Sequence, residues 1–254
     1  MTPAMPPARA VIIQNDRIPL NVAHLDPVME GGIPPGFISL ICGHAGTMKS
    51  SLAFNILVNA ARVQGRRCLH ITLEQHRDHL LRHAGKLGIF EGEADVDRTM
   101  ELVSVVDLAT MRRDLAEAGK AEGMDWPAAI VRAIKTYKEA FGCDVIVLDS
   151  LAALYALSEF TNARAELFHF FEKLRELEVT AFLISEMPTD RNVFGLHGVE
   201  DFLSDGIIHL KVDYSMGGAD LYIGIVKMRE TKHPRSYFPL IWVREQHRFE
   251  IVTG

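Results

Sequence analysis

The run Gly43-His44-Ala45-Gly46-Thr47-Met48-Lys49-Ser50 nearly matches G-x-x-x-x-G-K-[ST], with Met48 where a glycine is expected. That pattern aims backbone N–H groups at phosphate oxygens; the lysine neutralises the β- and γ-phosphates and the hydroxyl ligates Mg²⁺. Gly43, His44, Ala45, Gly46, Thr47, Met48, Lys49, Ser50 and Ser51 are the expected nucleotide contacts, with ATP and Mg²⁺ as cofactors. Met48 is expected in the first helical turn with φ below zero, so that the loop keeps its shape and its long thioether crowds the phosphates. Binding is expected to persist and hydrolysis to be slow.

A metal-bound nucleotide needs a second acidic ligand, and DVIVLDS supplies Asp149 after four apolar residues, a Walker B pattern. Hydrolysis needs a group that orients water, and HITLEQ places Glu74 just past an apolar run. Glu74 is the candidate base, with an ordinary helix-start glutamate as the plainer alternative. Glu186 closes FLISE and is either a γ-phosphate sensor acting through water or a loop carboxylate.

These residues must converge, which requires strands ending at one edge. Short β-branched runs at 37–42, 68–73, 102–106, 144–148 and 180–185 alternate with helical periodicity, the signature of a parallel sheet buried on both faces. One helix is expected from Ser50 to a stop at Gly65. A second is capped by Asp125 with Pro127 in its first turn and stops at Gly142; a third is capped by Thr161. After about residue 206, IIHLKV, LYIGIVKM, FPLIWV and FEIV predict an antiparallel extension of the sheet.

With 254 residues, 48% hydrophobic and 24% charged, the chain has material for one sizeable core. Residues 1–16 read as a flexible tail and 17–254 as a single domain. No apolar run reaches the roughly 20 residues of a membrane helix and no signal core opens the chain, so a cytoplasmic protein is expected. A net charge of −6, with both signs mixed, gives no global attraction to nucleic acid, though a local basic groove stays open. Cys42, Cys68 and Cys143 read as reduced core thiols.

Taken in order, the phosphate loop, LEQ, LDSLAALY, LISE, GVEDFLSDGIIHL and IVKMRETKH resemble a single RecA-type ATPase domain of the KaiC family. LDPVMEGGIPPG resembles that family's approach to the first strand. The resemblance implies an α/β P-loop NTPase core, mainly parallel and helix-flanked with antiparallel C-terminal strands. It also implies a homo-oligomer, a hexameric ring or helical filament, with ATP between neighbours. Lys227 and Arg229 would be donated in trans to the neighbour's γ-phosphate, with His233 near the nucleotide. Without the resemblance, Lys227 and Arg229 are simply two residues on one solvated strand face. Where autophosphorylating family domains carry adjacent Ser and Thr, this chain has Asp201 and Phe202, which resembles the ATPase-only type.

Three readings follow: a regulatory or signalling ATPase with an unidentified protein partner, a nucleotide-gated assembly protein with negligible turnover, and a recombinase-like DNA binder. The charge and the weakly basic segment 188–198 argue against the third. His70, His76, His79 and His83 read as mostly a solvated helix face rather than a metal site, and Trp126 and Trp242 as packing anchors.

Overall fold

The computed structural model describes residues 16–108, 110, 124–158, 160–188, 193–214 and 218–252. The expected tail (except Asp16), most of 107–125, Arg191 and most of the SMGG turn lie outside them. The elements are β1 (Val22–Ala23), β2 (Ile38–Gly43), α1 (Lys49–Gln64), β3 (Cys68–Thr72), α2 (Arg77–Leu87), α3 (Glu93–Met100) and β4 (Val103–Asp107). There follow α4 (Trp126–Phe141), β5 (Val145–Asp149), α5 (Leu151–Leu157), α6 (Ala163–Glu176), β6 (Thr180–Glu186), α7 (Glu200–Leu203), β7 (Gly206–Asp213), β8 (Asp220–Met228), β9 (Tyr237–Val243) and β10 (Arg248–Ile251).

The strands form one sheet in the order β1-β10-β9-β8-β7-β2-β6-β5-β3-β4. All six residues of β2 are buried, because apolar side chains alternate between two cores. Ile41 faces the core built on α1, with Leu52, Phe54, Ile56 and Leu57. Ile38, Leu40 and Cys42 face the core that α4 and α6 close with Trp126, Ile130, Phe171 and Leu174. Continuous apolar strands are what a parallel sheet covered on both faces requires.

Helix ends follow their local chemistry. Gly65 adopts φ 65° and ends α1, its N–H reaching Ala61 O while the Arg66 N–H reaches Ala60 O. Asp125 caps α4 by accepting from the Ala128 N–H, and Gly142 ends it at φ 75°. The cap of α6 is Asn162, which accepts from Ala165 N, and not Thr161. Glu166 reaches back to the N–H groups of Thr161 and Asn162, so Thr161 lies one residue outside the helix.

Two further expectations are corrected. Helix α1 begins at Lys49, and Met48 before it is left-handed at φ 61° rather than in a helical turn. The extension is antiparallel only from β8 onward: β7 pairs in parallel with β2, from Ser39↔Gly206 to Cys42↔His209. Glu186 ends β6 at the edge where β2 ends, while Gly206 opens β7 at the edge where β2 starts, and a strand begun there runs parallel. Strand β8 then pairs antiparallel with β7, β9 with β8 and β10 with β9.

Candidate functional site at the phosphate-loop edge

Strands β2, β3, β5 and β6 end at one edge, and their last residues or the turns after them hold the candidate site residues. In register, Gly43 of β2 lies beside Glu186 of β6, and Thr72 of β3 beside Asp149 of β5. Gly43 has to be glycine: a Cβ there would stand 2.3 Å from the Leu210 carbonyl oxygen. The Thr47 hydroxyl and the Lys49 ammonium both donate to the His44 carbonyl, each at 2.8 Å, which draws the loop over its own lysine.

Lys49 and Asp149 are both buried. Desolvation lowers the Lys49 pKa, opposed by the negative charges of Glu186, Asp149 and Glu74 and by Cys42. Burial raises Asp149 to about 6, opposed by a hydrogen bond from Ser50 and by Lys49, and reinforced by Glu74 and Glu186. Lys49, Ser50, Glu74, Asp149 and Glu186 therefore form one electrostatic cluster, in which a single cation faces three carboxylates. The bonded Ser50 hydroxyl and Asp149 carboxylate are a pair of hard oxygens suited to Mg²⁺, a cation that takes few protein ligands and completes its shell with water and phosphate. These residues fit the ion.

Glu74 is presented by a tight corner. The Thr72 hydroxyl accepts from the Gln75 N–H at 3.0 Å and donates to the Gln75 carbonyl at 2.8 Å, a side-chain turn that fixes the exit from β3. The Ser150 hydroxyl donates to Glu74 Oε1 at 2.7 Å while also accepting the Ala153 N–H as the cap of α5. Ser150 carried no signal in the sequence beyond standing next to Asp149.

The basic residues lie elsewhere. Gly206 pairs with both Ser39 and Met228, so the end of β8 sits at the edge where β2 begins. Between Ser39 and Gly43 the sheet rises about 13 Å, with two strand spacings of about 4.8 Å across. Arg229 Nη1 donates to Asp205 Oδ1 at 2.8 Å, and Asp205 Oδ2 accepts the N–H of Ile38, the first residue of β2. Lys227 Nζ donates to the carbonyls of Asp201 and Ser204, and desolvation, then Arg229, lowers its pKa. With His233, Arg235 and Tyr237, these two line a cavity of about 420 Å³. The chain thus brings Lys49, Ser50, Glu74, Asp149 and Glu186 together and holds Lys227, Arg229 and His233 apart from them. Asp205, which anchors Arg229, lies within the GVEDFLSDGIIHL segment, but its role as an anchor was not read from the sequence.

Among the histidines, His76, His79 and His83 belong to the start and first turns of α2; His76 meets Asp107 and Thr110, and His83 meets Ser51. His70 instead lies buried in β3 against the edge of Phe54, its pKa lowered to about 3 by desolvation. Trp126 is buried, and Trp242 donates to the Leu87 carbonyl while packing edge-on against Phe249, so both anchor the core. The three cysteines are buried and unpaired.

The family profile described as "ATPase: KaiC" matches residues 18–246. A UPF0273 protein of Aeropyrum pernix is 30% identical over 229 residues, 88% of this chain and 89% of that protein. The circadian clock oscillator protein KaiC of Parasynechococcus marenigrum is 26% identical over 237 residues, 92% of this chain and 45% of that protein. The chain thus spans less than half the length of that clock relative. A KaiC-like protein from Pyrococcus horikoshii shares the fold with a TM-score of 0.76 at 23% identity, over 93% of this chain and 99% of that one. With a phosphate loop and its acidic partners on a RecA-like α/β core, and the family profile matching residues 18–246 of its 254, the chain belongs to the KaiC family of ATPases.

Proposed function

We propose that this chain is a Mg²⁺-dependent ATPase whose subunits associate head to tail and complete one another's sites. The observation that carries the reading is the separation of Lys227 and Arg229 from the Lys49 loop by the height of the sheet. A cation held at the opposite edge serves a phosphate only if that phosphate belongs to another subunit, and a heterologous contact of this kind repeats into a ring or a filament.

In the proposed reaction Glu74 orients a water toward the γ-phosphorus, the new P–O bond forms as the bond to the β-γ bridging oxygen breaks, and ADP and phosphate leave. Charge spreads over the γ-oxygens in the transition state, where Lys49 from one subunit and Lys227 and Arg229 from the next offset it. Ser50 and Asp149 hold Mg²⁺, which when bound neutralises the β- and γ-phosphate oxygens. Glu186, level with Gly43, senses the γ-phosphate through water, and His233 lies near the neighbour's nucleotide. The reading extends to slow turnover, no autokinase activity, a single domain over 17–254, a cytoplasmic setting and a regulatory or signalling role with a protein partner.

The test is mixing. Lys49→Ala and Arg229→Ala subunits, each inactive alone, regain ATP hydrolysis when combined, because one supplies an intact loop and the other an intact cation. No recovery at any ratio sinks the shared-site reading. The left-handed Met48 in the loop favours a second reading, an assembly protein gated by nucleotide that scarcely turns over. Single-turnover hydrolysis measured against particle size separates the two: assembly with ATP and no product selects the second.

A further inference from the structure

The turn after β8 carries Arg229 and His233, and one side chain from the opposite end of the sequence grips it. The Arg17 guanidinium makes four hydrogen bonds: Nη1 to the Gly32 carbonyl at 2.9 Å and to the Thr231 hydroxyl at 2.8 Å, and Nη2 to Glu30 Oε2 and the Glu230 carbonyl, both at 3.1 Å. Two of these acceptors belong to the lead-in segment before β2, and two to the turn itself. The planar fork of arginine spans both sets at once, which a lysine ammonium cannot do.

The base of this grip is fixed independently. The Arg17 carbonyl accepts from Gln64 Nε2 at 2.8 Å at the end of α1, and Ile18 exchanges both backbone hydrogen bonds with Ile33 at 2.8 Å. Gly32 seats the lead-in closely, since a Cβ on it would stand 2.3 Å from the Ile18 carbonyl oxygen. The turn, in contrast, holds Glu230 left-handed at φ 51°, a conformation that a non-glycine residue keeps only when its surroundings impose it. Arg17 meets the Glu230 carbonyl and its neighbour's hydroxyl, and side-chain exposure of 17% keeps water from competing freely for them.

We infer that Arg17 is a positioning residue for Arg229 and His233, setting the turn that presents these side chains to the next subunit's nucleotide. The inference rests on the shared-site reading above and adds a specific claim: loss of Arg17 damages the cation-donating end of its own subunit and spares that subunit's phosphate loop.

The experiment mixes full-length subunits and reads ATP hydrolysis, with fluorescent ATP-analogue binding measured alongside. Arg17→Ala is expected to lower turnover about tenfold with analogue affinity within about twofold of the parent. Combined with Lys49→Ala subunits it should recover activity, because its loop is intact; combined with Arg229→Ala it should not, because both lack a working donor end. Thr231→Val, which removes only one acceptor, should show the same pattern more weakly and covers the case in which Arg17→Ala fails to fold. Recovery with Arg229→Ala, or analogue binding weakened as much as turnover, overturns the role of Arg17 while leaving shared sites standing. If the Lys49→Ala and Arg229→Ala control itself fails to recover, the shared-site reading falls and this inference with it.

Discussion

The Ser150 hydroxyl donates a 2.7 Å hydrogen bond to Oε1 of Glu74, joining the residue after β5 to the carboxylate in the turn after β3, its neighbour in the sheet. The bond occupies one carboxylate oxygen and fixes its direction. Replacing Glu74 by Gln is expected to lower ATP turnover at least about 100-fold, the scale of a lost general base, with nucleotide affinity nearly unchanged. Ser150→Ala frees the carboxylate to turn toward the γ-phosphate and should raise turnover roughly two- to tenfold on the same scale. Steady-state hydrolysis with equilibrium binding checks both; a Glu74→Gln enzyme within about threefold of the parent removes Glu74 from the reaction.

Met48 at φ 61° sits where glycine is comfortable and a β-branched side chain is not. Met48→Gly relieves the left-handed strain and should keep or tighten nucleotide binding and raise turnover. Met48→Val should weaken binding about tenfold, the equivalent of roughly 1–2 kcal/mol of added backbone strain. Titration with a fluorescent ATP analogue reads the order, and equal affinity for the Gly and Val variants contradicts it.

Asp26 accepts the N–H groups of Leu20 at 2.8 Å and Val22 at 3.1 Å, yet burial outweighs these bonds and raises its pKa to about 6. With the folded value above the ordinary 3.8, the folded chain holds the extra proton between these limits, so Asp26 destabilises increasingly as pH rises from about 4 to 6 and uniformly above. The full effect is about 3 kcal/mol as an order of magnitude. Asp26→Asn cannot ionise, so its stability relative to the parent should improve between about pH 4.5 and pH 7 in urea unfolding. A pH-independent difference refutes the assignment.

Glu200 is fully buried, and its carboxylate takes hydrogen bonds from the Tyr155 hydroxyl and the N–H groups of His197 and Val199. Gly195 lies so close that a Cβ would stand 2.3 Å from the Glu200 carboxyl carbon. Glu200→Ala should destabilise by about 3 kcal/mol through three stranded donors, and Gly195→Ala by roughly 1–3 kcal/mol through overpacking. The double variant should cost less than the sum, because truncating Glu200 makes the room that a methyl group on Gly195 needs. Additive losses in chemical denaturation mean that the two do not share this space.

Much of this architecture was legible because it rests on short-range rules. The apolar runs of β2, β3, β5 and β6 found their strands, and Gly65, Asp125 and Gly142 found their helix ends, since cap chemistry lies within a few residues of the cap. The strand-loop-helix context of Lys49 and the carboxylate closing β5 placed the phosphate-loop edge. Met48 was misread because composition does not fix the sign of φ, and β7 because its direction depends on where the preceding crossover ends. The contacts of Asp205, Glu200 and Ser150, though these residues stand in segments that carry the family resemblance, and of Arg17 stayed hidden because their partners, apart from nearby turn residues, lie far along the chain: Arg17 is 214 positions from Thr231. The separation of Lys227 and Arg229 from the loop was implied only by the family resemblance, since the strand pairing that determines it cannot be read from the residues themselves.

That separation has a counting consequence. Under the proposed shared-site reading, with the loop at one edge and Lys227 and Arg229 at the other, an open row of n subunits would finish n − 1 sites and leave one loop at its end waiting, while a closed ring would finish all n. Turnover per subunit then reports the mean length of the assembly, rises with protein concentration, and reaches its ceiling only on closure. On this reading, dilution would silence loops as rows shorten, while leaving each loop's own nucleotide contacts in place.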